Sequence, residues 1–537
     1  MSSVIQSIIC TGTTGIIVDI ECHLSNNLPN IVIVGFANQA VNESKERIRG
    51  AFADSRIVLP RKRVTINLAP ADIPKADSSF DLAIAVSILV ASEQVLTKFT
   101  KREAFIGELG LDGSVRTVRG IIGKVMVGRE HGIATFYIPA ANLPQAQLVP
   151  GVTLIPIHSL TELYGYLNGA VQVTPISTGD GIYDESSASH NDDTTASSYF
   201  VQFSEVVGQS QAKRALEIAA AGGHNVMLSG PPGTGKSMLA KALPSILPPL
   251  AREEMLEVTQ LHSLANHDYE QLITRRPYRA PHHSASYVAI TGGGSNLRPG
   301  EISLSHRGVL FFDEFPEFGR TTLEALRQPL EDRVISIARA KDTVEYPADF
   351  ILVATANPCP CGYYGTNRCN CPGYQLEAYR RRVSGPILDR IDLFSDVHEV
   401  LHDKLLGQSL DADSDKALRS RVFAARQLQA KRYGSPHKLN TNMTNSDIRC
   451  WANMEYEATL LLNDAATQLN ISARAYMRAV KVARTIADLA QSPNITTEHM
   501  SEALAYRRHN TPNNNSLPPL LSLPSRLKKP PIPVKSH

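Results

Sequence analysis

The sequence predicts an α/β protein: a P-loop core of parallel strands with a helical lid, preceded by a smaller α+β domain. Three observations predict it. The segment Gly230-Pro231-Pro232-Gly233-Thr234-Gly235-Lys236-Ser237 fits the phosphate-loop pattern G-x-x-x-x-G-K-[ST] at every fixed position. Two apolar runs, Gly308–Phe312 and Phe350–Ala354, follow it and end in Asp313-Glu314 and in Thr355-Ala-Asn357. Residues 1–170 alternate short strand-like runs with helical ones before any of these motifs begins.

In the N-terminal region, Gly15–Glu21 and Asn30–Gly35 read as strands, and Asn42–Phe52 reads as a helix. Residues 171–200 are rich in Ser, Thr, Asp, Asn and Gly and carry acidic but no basic side chains. Such a composition cannot bury a core, so the stretch reads as a flexible linker. Residues 201–400 hold the nucleotide motifs, and residues 401–510 are helix-rich and read as the lid. From Thr511 the chain is rich in Pro and Asn and reads as a disordered tail ending at His537.

The motifs specify chemistry. Val226–Ser229 reads as a strand and Met238–Leu243 as a helix, which is the context a P-loop requires. Its glycines let backbone N–H groups turn toward phosphate oxygens, and the following helix points its positive end at the same anion. Lys236 is expected on the β/γ-phosphates and Ser237 on Mg²⁺. Asp313 is expected to hold Mg²⁺ through its water shell, and Glu314 to polarise the attacking water. Asn357 at the tip of the third strand can orient that water or the γ-phosphate; the alternative is a turn-forming Asn before Pro358.

Cys359, Cys361, Cys369 and Cys371 form C-x-C-x₇-C-x-C. Four thiols in one short loop can supply a tetrahedral zinc site, but the C-x-C steps are tighter than usual. Free or redox-active thiols and other metal centres stay open as readings. Cys10, Cys22 and Cys450 are isolated and read as inert core residues. The run Val334–Tyr346 alternates about a turn and predicts a hairpin with Arg339 and Lys341 close to its tip. Basic side chains at a hairpin tip can grip nucleic-acid phosphates without reading sequence. Arg279, His282, His283 and Arg298 are weaker candidates for the same contact, and the His pair reads equally well as structural.

The order of these motifs resembles the magnesium-chelatase-like group of AAA+ ATPases, and residues 1–510 are similar to the YifB/ComM family. Phe203–Gln209, Tyr278–His283, Gly292–Glu301 and Ala356–Gly362 carry the same resemblance. It implies a Lon-protease-like fold (the ribosomal S5 domain 2 type) for residues 1–170. It implies an arginine finger at Arg390, acting in trans on a neighbour's γ-phosphate, and a sensor 2 arginine at Arg474 with Arg478 as rival. A surface salt bridge is the alternative for each of these arginines. It also implies a hexameric, ATP-driven DNA motor, a branch-migration helicase of natural transformation and recombination working on single-stranded and branched double-stranded DNA. Ile73–Ser79 loosely matches the segment of the Lon nucleophile, with Lys124 where a partner lysine falls. A Ser–Lys dyad needs the lysine desolvated, but Phe80-Asp81 replaces the small residues that give the Lon serine access. A structural or partner-docking domain is therefore expected.

Composition sets bounds. The 537 residues, 43% hydrophobic and 20% charged, suit a multidomain globular protein. The net charge of +2 gives no argument for nucleic acid by itself. No apolar run is long enough for a membrane span, and the first residues lack the positive region of a secretory signal. Seven cysteines, mostly clustered, fit a reducing, cytoplasmic setting. Two rival functions remain. The ATPase subunit of a metal chelatase shares the core, and a protein remodeller or protease would respond to unfolded protein and lose cleavage on Ser79→Ala.

Overall fold

The structure, a computed structural model, describes residues 4–11, 14–35, 39–71, 78–95, 97, 99–179, 201–265, 272–294, 297–338, 343–364, 368–400 and 412–507. It is a mixed α/β architecture whose second half is built on a parallel sheet.

The N-terminal sheet is built from β1 (Val4–Thr11), β2 (Thr14–Ser25), β3 (Asn30–Val34), β4 (Arg63–Ala69) and β5 (Glu103–Phe105). After the short hairpin of β6 (Glu108–Leu109) and β7 (Val115–Arg116) come β8 (Thr135–Pro139), β9 (Thr153–Ile157) and β10 (Ile176–Ser177). The eight-stranded order is β10-β9-β8-β5-β1-β2-β4-β3. Alternation along β1 sends Ile5 and Ile9 into one apolar cluster and Ile8 into another. The sheet therefore carries helices on both faces. Asp81–Ala91 is buried from Asp81 through Leu89 because its sequence is apolar all round. Ile121–Glu130 covers the opposite face beside Ile8 and Phe136. Strand β10 pairs antiparallel with β9 and lies inside the span whose composition reads as linker. Residues 180–200 and 508–537, the rest of the linker and the tail, lie outside the described residues.

The core sheet comprises β11 (Val226–Ser229), β12 (Tyr278–Arg279), β15 (Val309–Phe312), β18 (Ile351–Ala356) and β19 (Leu393–Asp396). Two small hairpins intervene: β13 (Gly292–Gly293) with β14 (Arg298–Pro299), and β16 (Val334–Ala338) with β17 (Thr343–Pro347). The core order is β12-β15-β18-β11-β19, parallel throughout. Buried parallel strands read as continuous apolar runs, and all of Val309–Phe312 is buried. The first strand in the chain lies between the fourth and the fifth, so the ligand crevice is expected at its carboxyl end.

The C-terminal helices are Ala412–Tyr433, Asn445–Trp451, Tyr456–Gln468, Ala473–Leu489 and Thr497–Ala505. Ser472, Thr444 and Thr496 cap three of them by accepting from the N–H of Ala475, Asp447 and His499. This bundle packs on helix Ser210–Gly222, whose Ala215, Ala219, Ala220 and Ala221 admit close approach. Gln429 Nε2 donates to Ala221 O at 3.0 Å and Arg426 Nε to Ala220 O at 2.8 Å. The bundle read as a lid thus sits behind the sheet.

Buried charge fixes the bundle internally. Asp488, 1% exposed, accepts from Arg432 Nη1 at 2.8 Å, Asn440 Nδ2 at 2.8 Å and Arg484 Nε at 3.1 Å. Removing it strands two guanidinium groups in the interior. Asp488→Ala is expected to lower unfolding free energy by about 3–5 kcal/mol in urea titrations.

Candidate nucleotide-binding site

β11 ends at Ser229, and the P-loop turns from there into helix Lys236–Ile246. Gly233 and Gly235 hold φ of +79° and +88°, the left-handed region that disfavours a Cβ, although open space surrounds both. Gly230 is needed for a different reason: a Cβ there would lie 2.2 Å from Val397 O.

The motifs of three strands meet in one cleft of about 380 Å³, lined by Pro232–Met238, Asp313, Glu314, Thr355 and Asn357. Lys236 Nζ donates to Gly230 O at 2.6 Å, Pro231 O at 2.7 Å and Asn357 Oδ1 at 3.2 Å. Burial lowers the pKa of Lys236, and the fields of Asp313 and Glu314 act against that shift. Ser237 Oγ donates to Asp313 Oδ2 at 3.0 Å. These are hard oxygen donors beside a phosphate cradle, which fits Mg²⁺.

Thr355 lines the cleft and Gln209 braces the P-loop beside it, and the motif reading gave neither a role. Thr355 Oγ1 donates to Asp313 Oδ1 at 2.6 Å and accepts from Glu314 N at 3.0 Å. It thereby holds Glu314 at φ +51°, an uncommon conformation for a non-glycine residue. The signal for it in the sequence is a hydroxyl one strand over from Asp-Glu. Gln209 Nε2 donates to Thr234 O at 3.3 Å and His398 O at 2.5 Å, tying the P-loop to the chain beyond β19.

Arg390 and Arg474 do not reach this cleft. Both pair with Glu331, Arg474 at 3.2 Å, on a second cleft of about 630 Å³ also lined by Arg333, Arg478 and Lys481. Arg478 Nη1 is committed to the carbonyl of Ile391 at 2.5 Å. No residue of the C-terminal bundle lines the P-loop cleft, because the apolar faces of these helices are spent on helix Ser210–Gly222.

The four loop cysteines converge. Cys359 Sγ lies 3.3 Å from Cys361 Sγ and 3.8 Å from Cys369 Sγ, and Cys361 and Cys369 are 3.7 Å apart. All four sulfurs lie within 4.8 Å of one another. Tetrahedral zinc with Zn–S near ~2.3 Å spaces its sulfurs by about 3.8 Å. Hydrogen bonds from the Tyr363 backbone and the Cys359 thiol lower the Cys361 pKa to about 6.

The remaining candidates are placed as follows. Arg339 and Lys341 lie outside the described residues, between the paired strands β16 and β17. Arg279 Nε is paired with Glu301 at 2.5 Å. His282 and His283 are exposed with ring centroids 4.1 Å apart, and Arg298 is exposed on β14. Ser79 and Lys124 meet, Nζ donating to Oγ at 2.9 Å, but they are 0% and 2% exposed. A nucleophile needs an opening that these residues lack.

The comparisons agree with this architecture. Residues 202–405 match the family described as Magnesium chelatase, subunit ChlI; residues 20–142 match Subunit ChlI of Mg-chelatase; residues 412–507 match Magnesium chelatase, subunit ChlI C-terminal. The uncharacterized protein YifB of Escherichia coli K12 is 39% identical over 506 residues, covering 94% of this chain and 97% of that protein. The competence protein ComM of Haemophilus influenzae is 39% identical over 511 residues, with 94% and 97% covered. The chain belongs to the YifB/ComM family of magnesium-chelatase-like AAA+ proteins. The magnesium-chelatase subunit ChlI of Olisthodiscus luteus is 26% identical over only 172 residues, 29% of this chain. Family membership supports ATPase chemistry using ATP and Mg²⁺. No described helix of this YifB/ComM protein is long and apolar enough to cross a membrane.

Thr355→Val keeps the shape and removes the hydroxyl. It is expected to lower single-turnover ATP hydrolysis by about 10²-fold, with ATP affinity changed far less.

Proposed function

We propose that this protein is a hexameric, ATP-driven DNA motor that moves branched DNA during recombination of incoming strands, working in the cytoplasm. One observation carries the proposal. Lys236, Ser237, Asp313, Glu314 and Asn357 line the P-loop cleft, while Arg390 and Arg474 lie together on a different cleft. Such a division is completed when one subunit's arginines meet the next subunit's cleft, as in a ring.

In this reading Lys236 and the backbone of Gly230–Gly235 hold the phosphates of ATP. Ser237 and Asp313 hold Mg²⁺, which supplies charge neutralisation at the β- and γ-phosphates. Glu314 accepts the proton as water oxygen bonds to the γ-phosphorus, and the bond to the β,γ-bridging oxygen breaks to give ADP and phosphate. Asn357 orients the water or the γ-phosphate. Arg390 from the neighbour stabilises the charge that develops, with Arg474 beside it. Arg339 and Lys341 are proposed contacts to DNA phosphates. Cys359, Cys361, Cys369 and Cys371 are proposed to hold a structural zinc ion, and reduced thiols suit the cytoplasm. The name of the competence protein among the relatives supports a role with DNA.

Glu314→Gln is expected to bind ATP while turnover falls by about 10²–10⁴-fold. Arg390→Ala is expected to lose about 10³-fold in turnover with ATP binding retained, and mixed rings with Glu314→Gln subunits should restore part of it. The function itself is tested on a mobile four-way DNA junction, with Lys236→Ala as control. DNA-stimulated hydrolysis that weakens with salt, and ATP-dependent junction movement, are expected. ATPase indifferent to DNA, with no junction movement, would move the reading to a protein remodeller or a chelatase subunit.

A further inference from the structure

We propose that the four-cysteine cluster is the anchor that sets Asn357 against the P-loop, so that metal held there governs the rate of ATP turnover rather than the affinity for ATP. The inference rests on the ATPase and zinc readings above and assigns that zinc a regulatory position.

Three connections carry it. First, the cluster begins two residues beyond Asn357. Cys359 is 0% exposed, so the end of β18 is drawn into the cluster, and Asn357 Oδ1 sits 3.2 Å from Lys236 Nζ. Second, the loop presses on the P-loop. Gly362 closes the turn with its N–H on Cys359 O at 3.0 Å and holds φ +85°. A Cβ on Gly362 would lie 2.6 Å from Pro232 Cδ. Third, the far end returns to the same residue. Pro372, next to Cys371, holds the N-cap position of helix Gly373–Arg380, and burial pushes the Tyr379 hydroxyl pKa of that helix up to about 12 while the Asn357 backbone acts against that rise.

The chain therefore makes a closed circuit. It runs from Asn357 through Cys359 to Cys371, along the helix to Tyr379, whose hydroxyl lies within the electrostatic reach of the Asn357 backbone. A tetrahedral thiolate centre would clamp that circuit at its narrowest point. Without the clamp, the Asn357 side chain and Pro232 lose their common support, while the nine-tenths-buried Lys236 and the glycines of the P-loop keep theirs. An orienting group misplaced by a fraction of an ångström costs rate before it costs binding.

The test uses the full chain and three readouts: zinc content by elemental mass spectrometry, affinity for a fluorescent ATP analogue, and the ATP turnover number. The native protein, the same protein after dialysis against a zinc chelator, Cys361→Ser/Cys369→Ser and Gly362→Ala are compared. The native chain is expected to carry about one zinc. The chelated protein and the double-cysteine variant are expected to lose zinc and about tenfold or more in turnover, with analogue affinity within about threefold of native. Gly362→Ala is expected to keep its zinc and still lose turnover, because the added Cβ strains the turn at φ +85° and displaces Pro232 while leaving all four thiols in place. A native chain without zinc would overturn the metal reading, and the inference with it. Zinc present, with its removal leaving turnover unchanged, would overturn the inference alone. Affinity and turnover falling together would also overturn it, since that marks loss of the general fold.

Discussion

The register of three parallel strands is the constraint on which the rest depends. Ser229 of β11 stands opposite Ala356 of β18, and Phe312 of β15 stands opposite Ala354. These pairings end the strands at one level, so the P-loop, Asp313 and Asn357 face a common cleft. A slip of one residue would exchange the sheet faces and take the Ser237–Asp313–Thr355 contacts apart. The buried apolar runs make that slip costly, because each strand is covered on both faces. The hydrogen bonds of the site are short and selective because packing has already settled the backbone.

The same strand also reaches the cleft that bears Arg390 and Arg474. Asn225, at the foot of β11, donates from Nδ2 to the Arg390 carbonyl at 3.0 Å and accepts at Oδ1 from Leu352 N at 2.9 Å. Its N–H meets Asp392 Oδ2 at 3.2 Å, and Asp392 lies 3.3 Å from His224 Nδ1. His224 Nε2 continues to Thr485 of the helical bundle at 2.8 Å. One end of β11 therefore holds the nucleotide loop while its other end holds the backbone of the distant arginine and the bundle. A shift of the P-loop strand on hydrolysis has a continuous, buried, hydrogen-bonded route to the face bearing Arg390 and Arg474. The proposed ring motor requires a connection of this kind for its neighbouring sites to fire in turn.

Legibility in the sequence followed the range of the interaction. The P-loop, its strand and its helix are contiguous, and their roles follow from local backbone chemistry. The strands ending at Asp313-Glu314 and Asn357 were legible because buried parallel strands are continuous apolar runs. The position of the C-terminal bundle was not, because helix periodicity says that a face is buried without saying against what. Arg474 lies on the cleft it shares with Arg390 and Glu331 for that reason: the bundle packs on helix Ser210–Gly222, and the arginine travels with it. Thr355 was missed because its role exists only across strands, toward Asp313. Strand β10 was missed because polar edge strands carry little hydrophobic signal, and Ile176–Ser177 sits in a Ser- and Thr-rich stretch.

The N-terminal domain shows how a buried polar pair can carry structure instead of chemistry. Lys124 Nζ donates to Ser79 Oγ at 2.9 Å and to Ile8 O at 3.2 Å, joining the helix to β1 and to the turn before Asp81. Asp81, fully buried, accepts from Arg47 Nε at 2.6 Å, which ties it to the preceding helix Gln39–Asp54. Burial raises the Asp81 pKa while the Arg47 hydrogen bond opposes that rise. A polar interior arranged this way rigidifies the domain, since every broken pair would leave a charge without water. The outer side of that rigid body rests on the core. Leu256 joins its apolar cluster, and Gln260 packs so closely on Gly123 that a Cβ there would lie 2.4 Å from Nε2. Leu256 and Gln260 belong to helix Arg252–Ala265, whose Glu257 reaches Arg307 at 3.1 Å, directly before β15. The N-terminal domain is thus joined through helix Arg252–Ala265 and Arg307 to the chain entering β15, the strand that ends at Asp313 and Glu314.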